Sequence, residues 1–182
     1  MKIMISILIC ISMIVCHKAD IKKQSESEVY KTVYKIVEST HTGHTKRKAD
    51  MVVEKARKYA LDPLIVCRLG YYESTYRHWL ENKSSGSVGI MQPIPALWQH
   101  LVFYVEDGKY SEAVSKDGQY KKYMKYIGCN IEIGCKILKT YLDEHKNYYD
   151  AIRRYGGWWS SKYDNNPKME RYINNVLYRN PL

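Results

Sequence analysis

The sequence predicts a mostly α-helical protein built around one compact domain. Its 182 residues are the length of a single domain, which excludes a multi-domain enzyme and a long solenoid. Hydrophobic residues make up 45% of the chain and charged residues 26%, so the chain can bury a core and is not disordered. Apolar residues recur at helical spacing, and no period-two strand pattern recurs.

The first residues, Met1–Asp20, are expected to lie outside the fold. Lys2 precedes an apolar run over Ile3–Val15 that only two serines interrupt. This run is shorter than the about 20 residues that a membrane-spanning helix needs, and its length fits a secretory signal. We therefore predict a signal peptide or lipoprotein leader over residues 1–19, and an exported protein of the periplasm or cell envelope.

The way in which this leader is processed stays open in the sequence. Cys16 follows Met13-Ile14-Val15 and resembles a relaxed lipoprotein box, so membrane anchoring through Cys16 is one alternative. Cleavage near Ala19, an uncleaved anchor and a buried N-terminal helix are the others.

Residues 20–48 are predicted to form a polar linker with a possible short helix. Apolar residues from Val29 to Val37 lie at helical spacing, and Thr40–Lys48 is polar and basic. His41 and His44 lie three apart in this segment, but a flexible linker offers no preorganised metal site. We expect no metal and no cofactor.

The domain itself is expected over residues 49–182. Asp62-Pro63 is a clear helix start, with Asp62 as the N-cap and Pro63 in the first helical position. Asn130 is read as a second N-cap. Turn signals predict a loop over 82–88 and a hairpin or insertion over 107–118. Helices are predicted over 51–60, 63–74, 97–105, 130–142, 148–155 and 167–177.

Three cysteines follow the leader, an odd number that excludes a complete disulfide framework. Cys67 lies in an apolar helical run and is expected in the core. Cys129 and Cys135 are six residues apart and would face different directions on one helix. A disulfide between them is the less favoured alternative.

Glu73 is the candidate catalytic group. Its neighbours on the same helix face are Val66, Leu69 and Gly70, so it projects from an apolar face at the carboxyl end of the helix. Burial and the negative end of the helix dipole both raise the pKa of a carboxyl group there, as a general acid requires. Arg77 would oppose this if it folded back. The alternative is an ordinary, exposed helix-end glutamate.

Ordered blocks of sequence around Glu73 resemble the soluble lytic transglycosylase domain, which has a lysozyme-like fold. The similarity spans about residues 49–177. The blocks that carry it are Asp62-Pro63-Leu64, Tyr72-Glu73-Ser74, Ser84-Ser85-Gly86-Ser87-Val88-Gly89-Ile90-Met91-Gln92-Pro93-Ile94-Pro95, Asn130-Ile131-x-x-Gly134, Ala151-x-x-x-Tyr155-Gly156-Gly157 and Tyr172-Ile173.

The chain departs from the pattern of that family at several positions. Ser87 replaces an Ala, Ile94 a Met, and Gly156 the Asn that usually follows the Tyr. The interval from Glu73 to Gln92 is one residue longer than the pattern. Which of the serines before Gly86 contacts substrate is therefore open.

The resemblance implies a lysozyme-like helical domain with a substrate cleft, acting on peptidoglycan glycan strands. Glu73 would be the single general acid and base, cleaving the bond between N-acetylmuramic acid and N-acetylglucosamine with formation of a 1,6-anhydromuramoyl end. The side chains that would bind substrate are Ser74, Ser84, Ser85, Gln92 and Tyr155. Trp158 and Trp159 are candidates for stacking on sugar rings, with at least one of them expected in the core.

Two other functions fit the same sequence. One is a hydrolytic muramidase similar to goose-type lysozymes, and the other is a non-catalytic wall-binding component of a secretion or phage-derived assembly. The net charge of +10 favours an anionic partner, but the leader argues against nucleic acid, for which no motif is present. We expect a monomer.

Overall fold

The computed structural model describes residues 26–104 and 120–182. The predicted leader, with Cys16 and Ala19, lies outside the described residues, as does the hairpin expected over 107–118. The described residues are mostly helical, which confirms the prediction of a mostly α-helical protein. Within these two ranges, the only β pairing is an isolated antiparallel bridge between Glu81 and Val88. No described helix has the length and apolarity to cross a membrane.

The described residues form eight α-helices and two 3-10 turns. They are α1 (Glu26–Glu38), α2 (Thr45–Lys58), α3 (Pro63–Ser74), α4 (Pro95–Trp98) with a 3-10 turn over Gln99–Tyr104, α5 (Tyr120–Tyr123), α6 (Ile127–His145), α7 (Tyr148–Tyr155), a 3-10 turn over Ser161–Tyr163, and α8 (Pro167–Tyr178). Helix α6 packs on α2 and α7, α1 on α2 and α3, and α8 on α3 and α7. The main core is built from residues of α1, α2, α3, α6, α7 and α8.

Helix α1 belongs to the core, whereas the sequence placed it in a polar linker. Val33, Ile36 and Val37 are fully buried against α2 and α3. Residues 45–48 already form the first turn of α2, and Lys48 is buried with its Nζ donating to Thr42 Oγ1 at 2.8 Å. The apolar stripe of α1 gains a partner in the fold, and burying it stabilises the domain by about 25 cal/mol for each Å² of apolar surface.

A buried carboxylate joins α2 to α6. Glu132 has no exposed surface, and its carboxylate lies 3.1 Å from Lys55 Nζ and 2.6 Å from Lys58 Nζ while accepting from the Tyr59 hydroxyl at 2.9 Å. Burial raises the pKa of Glu132, but the hydrogen bonds from Lys58, Tyr59 and Lys55 outweigh it, so the pKa is lowered overall. This glutamate is ionised and structural.

Asn130 fastens the loop after α3 to α6, instead of capping the helix as the sequence predicted. Helix α6 begins at Ile127 with Tyr126 as its N-cap, which leaves Asn130 buried inside the first turn. Its Oδ1 accepts from the Met91 backbone N–H at 2.7 Å. Its Nδ2 donates to the carbonyl oxygens of Val88 and Met124 at 2.9 and 2.6 Å.

Two glycines allow this loop to approach α6 closely. Gly89 has a φ of +75°, and a Cβ built there would lie 2.4 Å from Asn130 Nδ2. A Cβ at Gly134, one turn further along α6, would lie 2.5 Å from the Cβ of Met91. The spacing Asn130-x-x-x-Gly134 thus provides one anchoring side chain and one gap for the loop.

Cys67, Cys129 and Cys135 are buried, and no disulfide joins any two of them. Cys67 and Cys135 lie in the main hydrophobic cluster, whereas Cys129 lies in a smaller cluster with Val88 and Met124. The two cysteines of α6 therefore face different parts of the core, and the disulfide that the sequence left open is not formed.

We expect Asn130→Ala to lower the free energy of unfolding by about 2–4 kcal/mol, because three buried backbone groups lose their partner. Urea denaturation followed by circular dichroism at the helical signal measures it. Asn174→Ala is the matched control, since Asn174 is exposed on α8 and its loss should cost less than about 0.5 kcal/mol. Equal losses in the two variants would contradict the anchoring role.

Candidate active site

Helix α3 carries Glu73 to the wall of a cavity. Asp62 caps the helix by accepting from the Leu64 backbone N–H at 2.7 Å, and Pro63 occupies the first turn, as the sequence predicted. The helix ends at Ser74, because Thr75 adopts a left-handed conformation with a φ of +51°. Glu73 is thus in the last turn, near the carboxyl end of the helix.

The cavity at Glu73 has a volume of about 240 Å³ and is bounded by the loop after α3 and the end of α7. Glu73 is partly exposed there, and its Oε1 accepts a hydrogen bond from the Tyr172 hydroxyl on α8. The lining residues are Glu73, Asn82, Ser85, Ser87, Gln92, Ile94, Tyr155, Gly156 and Gly157.

Burial raises the pKa of Glu73 to about 7, and the hydrogen bond from Tyr172 opposes the rise only in part. Burial raises the pKa of Tyr172 well above its ordinary value, so its hydroxyl stays protonated and donates. Arg77 does not fold back on Glu73; its Nε donates to the Ser74 carbonyl oxygen at 2.9 Å. Near neutral pH, Glu73 can therefore both give and accept a proton.

Among the described residues that line this cavity, Glu73 is the only carboxylate. Glu81, the nearest acid downstream, pairs with Lys121 and lies 3.1 Å from Lys125 Nζ. The hydrogen bond from Lys121, followed by that from Lys125, holds the pKa of Glu81 below its usual value. The site can therefore supply one acid–base group rather than a carboxylate pair.

The loop serines separate into two that line the cavity and one that does not. Ser85 and Ser87 line it, with their hydroxyl oxygens 2.9 Å apart. Ser84 is exposed outside the cavity, where its backbone N–H donates to Asn82 Oδ1. Of Ser84 and Ser85, only Ser85 therefore lines the cavity, and Ser87 is a cavity residue that the sequence analysis did not select.

The side-chain amide of Gln92 lies in the cavity wall but bonds to its own loop. Its Oε1 accepts from Ser87 Oγ at 2.7 Å, and its Nε2 donates to the Gly89 carbonyl oxygen at 2.7 Å. Gln92 also has a φ of +50°, so these two bonds hold an unfavourable backbone conformation. With these bonds, the Gln92 amide forms part of the cavity wall.

The hydroxyl groups of two predicted substrate-binding residues, Ser74 and Tyr155, donate to backbone carbonyl oxygens. Ser74 does not line the cavity; it is buried, and its Oγ donates to the Gly70 carbonyl oxygen at 3.2 Å. Tyr155 does line the cavity, but its hydroxyl donates to the Met91 carbonyl oxygen at 2.7 Å. Ser74 therefore lies outside the cavity wall, and Tyr155 offers its ring rather than its hydroxyl.

Tyr172 is the site residue that sequence reasoning missed. It entered the sequence argument only as part of the closing Tyr-Ile block, and its contact with Glu73 joins residues 99 positions apart. Gly156 makes room for it, because a Cβ at Gly156 would lie 2.9 Å from Tyr172 Cε1 and 2.7 Å from Trp158 Cδ1. In the sequence, the Gly156-Gly157-Trp158 run is the feature that could have indicated space for an aromatic side chain near Glu73.

The tryptophans divide as the sequence predicted. Trp158 packs against the main core, whereas Trp159 is 43% exposed. Of the two aromatic residues after Glu73, Tyr76 is fully buried with its hydroxyl on the Cys67 carbonyl oxygen, and Trp79 is 55% exposed.

No cluster of three or more histidine, cysteine or acidic side chains suited to a metal ion occurs in the described parts of the chain. Searches against protein-family models, curated proteins and solved structures gave no match. The chemistry of the site is therefore argued from its own residues.

We expect Tyr172→Phe to raise the pKa of Glu73 above about 7, because the lost hydrogen bond stabilised the ionised carboxylate. Titration of the labelled glutamate carboxyl carbons by NMR measures this pKa. Tyr149→Phe is the control, since the Tyr149 hydroxyl bonds to Glu170, outside the cavity. An unchanged pKa in Tyr172→Phe would refute the coupling.

We expect Glu73→Gln to be more stable than the wild type at high pH but not at low pH. The folded pKa of Glu73, about 7, lies above its ordinary value of 4.5, so its contribution to stability is present below about pH 4.5 and is lost as the pH rises through 7. The difference in unfolding free energy should grow by roughly 1–3 kcal/mol between acid and mildly alkaline pH.

Glu81→Gln serves as the control for this measurement, because the pKa of Glu81 is lowered and its effect has the opposite sign. Urea denaturation of the three proteins across the pH range gives the comparison. A pH-independent difference between Glu73→Gln and the wild type would contradict the assigned pKa.

Proposed function

We propose that this protein is a peptidoglycan lytic transglycosylase with a lysozyme-like helical domain, acting in the cell envelope. The observation that carries the proposal is a lone carboxyl group, Glu73, with a pKa of about 7 in a walled cavity. The ordered sequence blocks that resemble the soluble lytic transglycosylase domain supply the substrate class.

In the first step, protonated Glu73 gives its proton to the oxygen that joins the muramoyl sugar to N-acetylglucosamine. The glycosidic bond breaks as that proton arrives, and the acetamido group of the muramoyl sugar relieves the positive charge at its anomeric carbon. The pKa of about 7 keeps a substantial fraction of Glu73 protonated near neutral pH. Activity should therefore fall as the pH rises through about 7.

In the second step, ionised Glu73 removes the proton from the C6 hydroxyl of the same sugar. The C6 oxygen then bonds to the anomeric carbon and closes a 1,6-anhydro ring, so no water is consumed. A second carboxylate, which ordinary glycosidases hold about 5–9.5 Å from the first, has no task in this sequence. The absence of a second carboxylate among the described residues of the cavity wall agrees with this scheme.

Three features of the cavity support the proposal. Tyr172 donates to Oε1 and orients the carboxyl group. The loop of Ser85, Ser87 and Gln92 gives a polar wall opposite it, where hydroxyl groups can bond sugar substituents. Its closed internal hydrogen bonds mean that the loop is organised before substrate arrives.

Digestion of peptidoglycan with the purified protein, followed by mass spectrometry of the fragments, tests the proposal. We expect anhydromuramoyl ends, and a loss of about 10²–10⁴-fold in rate for Glu73→Gln. Glu81→Gln should retain activity, since Glu81 lies outside the cavity and pairs with lysines.

Two results would overturn the proposal in distinct ways. Reducing ends in place of anhydro ends would identify a hydrolytic muramidase using the same glutamate. Intact peptidoglycan after treatment with the wild type would leave only the wall-binding role.

A further inference from the structure

A second cavity, of about 290 Å³, adjoins the one at Glu73. The two share Gln92, Ile94, Tyr155 and Gly157 in their walls, so one polymer could occupy both. The second cavity extends from this shared wall toward α4 and α6. Its additional lining residues are Pro93, Leu97, Trp98, Ile137, Tyr141, Arg154 and Trp159.

Aromatic rings form much of the wall of this second cavity. Trp98 and Tyr141 meet edge to face with ring centroids 6.0 Å apart. Trp159 is fixed from another side by His145, whose ring centroid lies 4.5 Å away. Exposed Trp159 and half-buried Trp98 are held by ring contacts, which makes them an ordered surface for a ligand.

Among the described residues that line this cavity, Arg154 is the one charged side chain. Its guanidinium carbon lies 5.2 Å from the Trp159 ring centroid and 5.7 Å from that of Tyr141. No carboxylate within residues 26–104 and 120–182 forms a salt bridge with it. The rings therefore orient the guanidinium and leave its charge without an acidic partner.

The neighbouring arginine shows the difference. Arg153 pairs with Asp164, and its Nε donates to the Trp158 carbonyl oxygen at 3.1 Å. Its charge is therefore balanced within the fold. Adjacent arginines on α7 thus have separate tasks, one structural and one directed into a cavity.

We propose that the second cavity binds a carboxylate group carried by the substituent of the muramoyl sugar. This inference rests on the proposed function. The sugar rings and their acetamido groups are neutral, so the negative charge of such a strand lies on the lactyl group or on the peptide attached to it. A planar guanidinium held between rings suits a carboxylate, which it binds through two parallel hydrogen bonds.

Arg154→Met, Arg154→Lys and the wild type are compared on three glycan substrates. These are strands that carry peptides, strands stripped to free lactyl carboxylates, and peptide-bearing strands whose carboxylates have been converted to neutral methylamides. We expect Arg154→Met to raise KM about 10- to 100-fold on carboxylate-bearing strands, with little change in kcat, and to match the wild type on the amidated strands. Arg154→Lys should recover part of the loss.

The first two substrates identify the source of the carboxylate. An increase in KM confined to peptide-bearing strands assigns the carboxylate to the peptide, and an increase confined to stripped strands assigns it to the lactyl group. An increase on both means that the subsite accepts either carboxylate. Arg171→Met is the control for net charge, since Arg171 is exposed on α8 away from both cavities. Equal loss on amidated strands, no change in KM, or the same change in Arg171→Met would overturn the inference.

Co-sedimentation with insoluble peptidoglycan in the Glu73→Gln background separates this inference from the proposed function. Binding there needs no catalysis. If the wild type cleaves nothing, the proposed activity fails. The carboxylate subsite is still supported if Arg154→Met weakens co-sedimentation with unmodified peptidoglycan but not with amidated peptidoglycan. Activity on carboxylate-bearing strands without any dependence on Arg154 would leave the activity standing and refute the subsite.

Discussion

The candidate site depends on the three hydrogen bonds that Asn130 makes inside the first turn of α6. A loop with left-handed conformations at Gly86, Gly89 and Gln92 has little regular structure to hold it. A buried amide that bonds to it at Val88 and Met91 fixes two points along its path. From there, the Met91 carbonyl oxygen accepts from Tyr155, so the same loop also positions α7. One side chain thereby sets the distance between the polar wall and Glu73.

Glu132, which is buried, and Glu73, which is partly buried, show how surroundings decide the chemistry of one residue type. Glu132 lies among Lys55, Lys58 and Tyr59, which together outweigh its burial and keep it ionised. Among the described residues, Glu73 has one neutral donor, Tyr172, and no cationic partner, so burial outweighs the hydrogen bond and its pKa rises to about 7. Burial alone therefore does not mark a candidate acid–base group; burial without a counter-charge, beside an open cavity, does.

Local signals predicted local structure well, and long-range contacts account for what they missed. Helices α3 and α7 have the bounds expected from the sequence, because a capping residue precedes each one: Asp62 before α3 and Asn147 before α7. The packing of α1 and the bond between Tyr172 and Glu73 could not be predicted, since periodicity names a buried face but not its partner. Ser74 lies outside the cavity wall because a position beside Glu73 on a helix points in another direction.

Gly156 is a position at which the chain departs from the sequence pattern that it resembles, and its lack of a side chain leaves space for two aromatic rings. The absent asparagine side chain would need the space that Trp158 and Tyr172 occupy, since even a Cβ there lies 2.7 Å from Trp158 Cδ1. Tyr172 reaches Glu73 through that gap. A neutral donor in that position leaves the carboxyl group without a cationic partner, which is the condition that a single acid–base group requires.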